Sequence, residues 1–456
     1  MSELPPNWAQ VPLSVITVDA SQRVPLAEEV IRYIDIGSVN RNTKSIESPQ
    51  ELLGKEAPSR ARKQVAVGDT LVSMTRPNLN AVALVSKEFD GQIASTGFDV
   101  LRPVAGVDPR WVSYLVRTEA FVEAMSDLVQ GALYPAVRSK DVRAHVVPLA
   151  PQAEQTRIAN QLDTLLTRIQ ACNDRFDAIP ALLKRFRQTV LDAAITGTLT
   201  KDWRTDLDFQ VKEVALRDLG VVSGGLTKNS KRDSLTLRKP YLRVANVHAN
   251  YLKLGDVTEI GLTPAEYEKT RLQTGDLLIV EGNGSLDHIG RVAMWRSEFA
   301  ECSHQNHLIR WRAGPDALAN YVLLWLLSPS GRSQIVAAAS SSTGLHTLSV
   351  SKIGSLTLRM PSLEDQAEIV RRVEALFALA DHIEARCIAA HAQARRLNPL
   401  VLAKAFRGEL VPQDPNDEPA SALLARIASS NTAVAGKNRQ KVPVALKKCA
   451  RAAIDL

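Results

Sequence analysis

The chain has 456 residues, 45% of them hydrophobic and 23% charged, which is enough for two to four domains and excludes a peptide or disulfide scaffold. Its four cysteines lack CxxC spacing, and its longest apolar run (residues 322–327) is far shorter than a membrane helix. Its N-terminal residues do not show the pattern of an export signal. We therefore expect a reduced cytoplasmic protein. The net charge of +7 only weakly indicates a polyanion partner.

The first variable block, residues 1–150, contains short alternating or apolar runs between turn residues, a pattern typical of strands. Residues 65–72 and 81–85 are such runs, and residues 111–128 have helical character. We therefore expect a mixed α+β domain. It has 16 Lys and Arg against 17 Asp and Glu, so binding of a polyanion there must depend on locally clustered cations.

A long helix is predicted for the next segment, residues 151–200. Its apolar residues follow one another at alternating steps of four and three, the spacing of a coiled-coil seam. Pro180 lies inside this seam and predicts a kink, and Gly197 predicts the end of the helix, which would be roughly 65 Å long. The seam residues are Ile158, Leu162, Leu165, Ile169, Cys172, Phe176, Ile179, Leu183, Phe186, Val190 and Ala193.

The same succession returns in the second half of the chain. Residues 201–361 form a second variable block, with a strand-like run at 290–295 and a helical run at 319–338. Residues 362–411 form a second helical segment. The tail, residues 412–456, has a short helical run at 421–427 and an Ala- and Lys-rich end that we expect to be mobile.

The two helical segments are an internal repeat that aligns without a gap. Gln155 recurs as Gln366, 211 positions later, and eleven further residues recur at the same offset. The variable blocks are related more loosely, for example through Gly68-Asp-Thr-Leu-Val and Gly275-Asp-Leu-Leu-Ile. The chain therefore consists of two copies of one plan, followed by a tail.

We expect the two helices to pack on each other, because the second seam has Ala380, Cys387, Ala390 and Ala394 where the first has bulky residues. Two bulky or two lean seams would pack poorly, whereas one of each is complementary. In the alternative, each helix lies on its own domain. The residues predicted to pack between the helices are Ile158, Leu162, Leu165, Ile169 and Phe176 of the first, and Ile369, Val373, Leu376, Ile383 and Leu397 of the second.

Motifs for catalysis and metal binding are missing. There is no GxxxxGK[ST] loop, and in the nearest stretch Leu226 stands where the lysine belongs. No GxSxG or HExxH motif occurs, and residues 398–400 are not the Asn-Pro-Pro-Tyr/Phe motif of adenine methyltransferases. Cys302, His304 and His307 lie within one strand-like stretch, which favours packing over metal binding. We predict neither catalytic residues nor a metal site.

Both variable blocks contain loops rich in arginine, lysine, asparagine and glutamine. Arg and Lys read guanine edges or neutralise phosphates, and Asn and Gln pair with adenine, so these loops are suited to reading duplex DNA. For any single residue a solvated loop is an equally good interpretation. The candidate DNA-binding residues are Arg41, Lys44, Arg60, Arg62, Lys63, Arg76, Asn78 and Asn80 in the first block, and Lys228, Lys231, Arg232, Arg238, Lys239, His304, Gln305, Asn306 and His307 in the second.

Almost the whole chain resembles the specificity (S) subunit of type I restriction-modification systems. The segments that carry the resemblance are APSRAR (57–62), GDTLVS (68–73), RPNLN (76–80), STGFDVLR (95–102), PLAPQAEQTRI (148–158), GTLTKDWR (197–204) and EPASALLARI (418–427). The second helix opens less typically, with Glu364-Asp-Gln366.

The resemblance implies an α+β fold in which two target-recognition domains (residues 1–150 and 201–361) are joined by two long conserved helices. These helices (the central spacer, 151–200, and the distal region, 362–411) would pack as an antiparallel coiled coil with pseudo-twofold symmetry, ahead of a C-terminal tail (412–456). Each domain would read one half of an asymmetric double-stranded DNA site.

The resemblance also implies partners, since the helices would set the spacer and dock two methyltransferase (modification) subunits. Those subunits would use S-adenosylmethionine for adenine methylation, and restriction/translocase subunits would use ATP and Mg. No cofactor is expected in this subunit, no membrane is involved, and the subunit is not itself an enzyme. Two alternatives are a coiled-coil protein-protein adaptor without DNA sequence specificity, and an orphan paralogue that only inhibits or exchanges domains.

Overall fold

The computed structural model describes residues 4–129, 135–203, 211–342 and 344–439, without the side chains of 341, 342 and 431–439. The chain divides into two compact units. Unit 1 takes its described residues from Met1–Phe176 and Ala389–Leu456, and unit 2 is Asp177–Ile388. Among the described residues, no helix is long and apolar enough to cross a membrane.

The first domain is built on two four-stranded sheets, ordered β2-β11-β8-β9 and β6-β3-β10-β7, and β1 pairs with β12. Its strands are β1 (Ala9–Pro12), β2 (Thr17–Asp19), β3 (Val30–Ile34), β4 (Val39–Asn40), β5 (Ser45–Ile46), β6 (Gln50–Leu53), β7 (Ala61–Gln64), β8 (Thr70–Ser73), β9 (Val82–Leu84), β10 (Ile93–Ser95), β11 (Phe98–Pro103) and β12 (Val146–Leu149). Its helices are α1 (Leu13–Ile16), α2 (Pro109–Leu115), α3 (Glu119–Asp127) and α4 (Ser139–Ala144). The helical run predicted at 111–128 is two helices, because Thr118 caps α3 by accepting a hydrogen bond from the Phe121 N–H.

The first long helix, α5, is Gln152–Ile195 and continues through Pro180. Gly197 follows it with φ 79°, a left-handed conformation that a glycine adopts without strain. The predicted helix and its end are therefore confirmed.

The second domain repeats the strand order of the first domain's main sheet, as β14-β23-β19-β21. Its second sheet, β18-β15-β22, has three strands where the first domain has four, and it has a smaller additional sheet, β20-β25-β24. Its strands are β13 (Lys212–Ala215), β14 (Gly220–Gly224), β15 (Arg238–Leu242), β16 (Val247–His248), β17 (Tyr251–Leu252), β18 (Thr258–Gly261), β19 (Leu277–Val280), β20 (Gly282–Asn283), β21 (Val292–Met294), β22 (Ser303–His304), β23 (Leu308–Ala313), β24 (Ser340–Ser342), β25 (Leu345–Thr347) and β26 (Thr357–Met360). Its helices are α6 (Leu216–Leu219), α7 (Pro264–Thr270), α8 (Ala319–Leu327), α9 (Pro329–Ala338) and α10 (Val350–Gly354).

The second long helix, α11, is Leu363–Phe406, and a further helix, α12, is Ala420–Arg439. Ala420, Leu423 and Ile427 of α12 are buried in the main core of unit 1. The helical run predicted in the tail is thus present, and it is part of the folded unit. The Ala- and Lys-rich end that was expected to be mobile lies, from residue 440 onward, outside the described residues.

The repeat is visible in buried side chains as well as in topology. Gln155 accepts a hydrogen bond from the Asp108 N–H (3.0 Å), just before α2. Gln366 accepts one from the Leu318 N–H (2.8 Å), just before α8. Both glutamines are fully buried. Gln155 and Gln366 therefore connect each domain to its long helix in the same way.

Within each unit, the start of one long helix packs beside the end of the other. In unit 1, Leu162 shares a core with Leu402. In unit 2, Val190 shares a core with Ile369, and Arg187 donates to Asp381 (2.7 Å). The predicted antiparallel packing is confirmed, and the alternative in which each helix lies only on its own domain is wrong.

Two predicted packing residues are wrong, because Ile383 and Leu397 are 39% and 45% exposed. The same repeat positions in α5, Cys172 and Phe186, are also exposed. The inward positions are taken by the following residue, which is polar in all four cases: Asn173, Arg187, Glu384 and Asn398. The other predicted packing residues are buried or half-buried: Ile158, Leu162, Leu165, Ile169, Phe176, Ile369, Val373 and Leu376.

Candidate nucleic-acid interface

The turn between β4 and β5 presents Arg41 and Asn42 to solvent. Asn40 shapes this turn, because its side-chain oxygen accepts hydrogen bonds from the N–H groups of Asn42 (2.9 Å) and Thr43 (3.2 Å). Lys44 closes the turn in the left-handed conformation, with φ 58°. Arg41 is therefore held on an ordered turn.

A second turn, residues 76–80, lies beside the first. Its two ends, Arg76 (φ 50°) and Asn80 (φ 44°), are both left-handed, a conformation that costs a non-glycine residue energy and is often found at functional sites. Arg76 and Asn78 are exposed. Lys44 Nζ donates to the Asn80 carbonyl (2.6 Å), and Arg41 and Arg76 line one depression of about 250 Å³. We call residues 40–44 and 76–80 the loop pair.

The other predicted residues of the first domain lie at β7. Arg60 is exposed in the turn before that strand. Arg62 donates to the Ala61 carbonyl (2.9 Å) and is half-buried. Lys63 lies 3.7 Å from Asp99, and burial lowers its pKa although Asp99 opposes the shift. Arg60 is thus the best placed of the three for contact with a ligand.

In the second domain, Lys228 and Lys231 are exposed in the loop between β14 and β15. Arg232 instead supports this loop, because it donates to the Thr227 carbonyl (2.7 Å) and to both oxygens of Glu266 (3.1 and 2.8 Å). These bonds from Arg232, with the N–H of Thr263, lower the pKa of Glu266 to about 2.

Arg238 and Lys239, on β15, are both engaged with carboxylates. Arg238 lies 3.7 Å from Glu259 and is exposed. Lys239 pairs with Glu301 and lies 5.6 Å from the ring centre of Tyr267. Both residues are accessible only beside a carboxylate, which weakens their attraction for an anion.

His304 is wrong as a DNA contact. Its side chain is fully buried, its Nδ1 lies 3.1 Å from the Thr270 carbonyl, and burial lowers its pKa to about 3. Gln305 and Asn306 are half-buried, and His307 is exposed and lies 2.9 Å from Glu281.

The neighbouring Cys302 is not suited to metal binding, because burial raises the pKa of its thiol to about 12. In the described part of the chain no group of three metal-ligating side chains occurs.

Sequence reasoning missed Arg117, which lies between α2 and α3 and lines a cavity together with Lys44 and Asn80. Its local sequence, Val-Arg-Thr-Glu-Ala, contains no motif. The proximity of Arg117 to the loop pair results only from the tertiary fold.

The two domains share the strand order of their main sheets, and each carries exposed basic and amide side chains on ordered loops. These features define an internally duplicated recognition protein. The family model described as the type I restriction modification DNA specificity domain matches residues 210–390. The chain is 29% identical to the type I restriction enzyme EcoKI specificity subunit of Escherichia coli K12, over 96% of this chain and 98% of that protein. It is 30% identical to the EcoBI specificity subunit of Escherichia coli, over 66% of this chain and 68% of that protein.

Among solved structures, the HsdS subunit from Thermoanaerobacter tengcongensis matches with a TM-score of 0.62 and 25% identity, over 90% of this chain and 98% of that chain. The chain belongs to the family of type I restriction-modification specificity subunits.

Proposed function

We propose that this chain is the non-catalytic DNA-recognition subunit of a type I restriction-modification complex. Residues 1–150 and 201–361 are the two target-recognition domains, and each reads one half of a bipartite, asymmetric site. The observation that carries this proposal is a duplicated framework with different loops. The strand order of the main sheet and the buried glutamines recur in both domains, whereas the exposed loop side chains differ. The matched family model describes DNA specificity, which favours this function over a protein-protein adaptor.

The base contacts are assigned to exposed residues on ordered loops. In the first domain these are Arg41, Arg76, Asn78 and Arg60, because all four are exposed. In the second domain Lys228 and Lys231 are exposed on the loop between β14 and β15. Arg238 and His307 are exposed too, but each lies beside a carboxylate. Arginine and asparagine provide the bidentate hydrogen bonds that distinguish guanine and adenine in the major groove.

The central spacer (151–200) and the distal region (362–411) set the distance between the half-sites and dock two modification subunits. Each helix contributes one end to each unit, which makes their length a natural determinant of the spacer. Exposed apolar side chains on these helices support docking of a protein partner. They include Leu182, Leu379, Ile388 and Leu400. S-adenosylmethionine, ATP and Mg belong to the modification and restriction subunits. In the tail (412–456), helix α12 packs into the core of unit 1.

The test is to map methylated adenines across the host genome with and without the gene. We expect one bipartite motif to lose its methylation when the gene is deleted and to regain it when the gene is restored. Unchanged methylation, together with equal binding of the assembled complex to all duplexes, would contradict the proposal. A weak dependence of binding on salt would favour the adaptor instead.

A further inference from the structure

Unit 1 contains a cavity of about 580 Å³ between the loop pair, the end of α2 and both long helices. Lys44, Asn80 and Arg117 line one side of it, and Asp163 of α5 and Asn398 of α11 line the other. The cavity therefore opens where the first recognition domain meets the spacer helices, next to the proposed base-reading residues.

Two cations, Lys44 and Arg117, line this cavity and repel each other. Lys44 Nζ donates to the Asn80 carbonyl (2.6 Å), and Arg117 Nη2 donates to the Ser113 hydroxyl (2.8 Å). Among the described residues neither makes an ion pair, and the buried Nε of Arg117 has no hydrogen-bond partner. Burial, and then the charges of Arg117 and Arg41, lower the pKa of Lys44 to about 8. An anion entering here would relieve this repulsion.

Among the described residues, the acidic groups of the cavity wall form no ion pair with Lys44 or Arg117. Asp163 accepts hydrogen bonds from Arg110 (2.7 Å) and from the Tyr114 hydroxyl. Its charge attracts Arg117 as well, but the effect of Asp163 on the pKa of Arg117 is smaller than that of burial, which lowers this pKa. Asp174 accepts from Gln170 (2.8 Å), and Glu119 is exposed at the rim. The cation pair is therefore directed toward a ligand from outside the chain.

In the described part of the second unit, the corresponding junction has no such pair. Leu327 stands where Arg117 stands, because Ser328 caps α9 as Thr118 caps α3. Arg187, the repeat counterpart of Asn398, is bound to Asp381 and Glu384. A cation pair at this junction is thus a feature of the first unit, which makes its effect separable from the general basic character of the chain.

We infer that Lys44 and Arg117 form a binding site for one backbone phosphate of the DNA, next to the half-site that the first domain reads. This rests on the proposed function and deepens it: the exposed residues of the loop pair read bases, and the recessed cations behind them fix the duplex in register. A phosphodiester is the anion expected there, because duplex DNA carries one at each nucleotide and the neighbouring side chains belong to the base-reading loops.

The test uses the assembled complex with its modification subunits and the mapped target duplex, in which single phosphates are replaced by neutral methylphosphonates. For the wild type we expect about an eightfold loss of affinity in ~0.1 M salt at one phosphate near the first half-site. Lys44→Met should show that loss on the unmodified duplex and no further loss from this methylphosphonate. Lys44→Arg should restore the wild-type response, and wild-type affinity should fall above pH 8 as Lys44 loses its proton.

Lys87→Met is the matched control, because Lys87 is an exposed lysine of the same domain outside the cavity. The inference would be overturned if the Lys44→Met complex lost affinity at the same methylphosphonate positions as the wild type. It would also be overturned if the loss of thermal stability in Lys44→Met accounted for the whole loss of binding. If inorganic phosphate stabilises the wild type but not Lys44→Met, while the duplex series shows no Lys44 dependence, the site takes a free anion and the inference is also overturned. Failure of the proposed function is distinct: the wild-type complex would then bind target and scrambled duplexes equally.

Discussion

The two buried glutamines offer a test of the duplicated frame, through the variants Gln155→Met and Gln366→Met. Methionine matches glutamine in length but cannot pair with backbone groups. Gln155 bonds the Asp108 N–H (3.0 Å) and the Ala150 carbonyl (2.8 Å). Gln366 bonds the Leu318 N–H (2.8 Å) and two carbonyls, at 3.0 and 3.3 Å.

The magnitude follows from the number of backbone groups left without a partner. A buried unsatisfied group costs about 1–3 kcal/mol. Gln155→Met leaves two such groups, and Gln366→Met leaves three, one of them weakly bonded. At about 1 kcal/mol or more per group, we expect losses in unfolding free energy of at least about 2 and about 3 kcal/mol, respectively, each confined to the unit that contains the substitution.

Urea unfolding measures the loss, and amide hydrogen exchange locates it. The Asp108 amide should exchange faster in Gln155→Met, and the Leu318 amide faster in Gln366→Met. Gln161→Met is the control, since Gln161 is exposed on the same helix as Gln155. The reasoning is refuted if either variant speeds exchange of the Asp108 and Leu318 amides equally. It is also refuted if Gln155→Met is as stable as Gln161→Met.

Three further outcomes are expected. Lys231→Ala should reduce the salt dependence of DNA binding without changing Tm. Arg232→Ala should lower Tm, because it removes the bonds to Glu266 that hold the loop between β14 and β15. The reverse pattern would refute these assignments. Because Arg232 lowers the pKa of Glu266 from 4.5 to about 2, the stability from this pair is present above pH 4.5 and is lost as pH falls toward 2. The Tm difference between wild type and Arg232→Ala should therefore shrink below pH 4, and a constant difference would count against the ion pair. Arg60→Ala or Arg76→Ala should weaken binding to one half-site only, measured with duplexes altered in either half, whereas equal loss on scrambled DNA would indicate phosphate contact.

The repeat, the long helices and the α+β class could be predicted because each is written in local periodicity or in self-similarity of the sequence. The predicted helix-helix packing positions are wrong where the residues that face the other helix are polar. An apolar pattern selects Phe186 and Leu397, but Arg187 and Asn398 lie inward, and Arg187 bonds across to Glu384 (2.8 Å). Hydrophobic periodicity cannot detect an interhelical ion pair, because its residues look like a solvated face.

The candidate interface could be predicted as a set of loops, but the role of each residue could not. Lys231 and Arg232 are neighbours of the same charge, yet one is exposed and the other bonds to Glu266. His304 has DNA-reading chemistry but lies in a strand that the core covers. Side-chain chemistry identifies what a residue can bind, whereas burial and prior partners decide whether it is available, and both depend on distant parts of the chain.

The residues that repeat and those that do not differ in where their partners lie. Asp69 and Arg102 form a bidentate ion pair in the first domain, and Asp276 and Arg312 form the corresponding pair in the second. Both residues of each pair lie within the same domain. Arg41 and Arg76, by contrast, project from turns shaped by backbone and by Asn40. Replacing such a projecting side chain removes few internal bonds, so it changes recognition at little cost in stability. A frame of this kind lets the two domains acquire different half-sites while both remain fastened to the same helices.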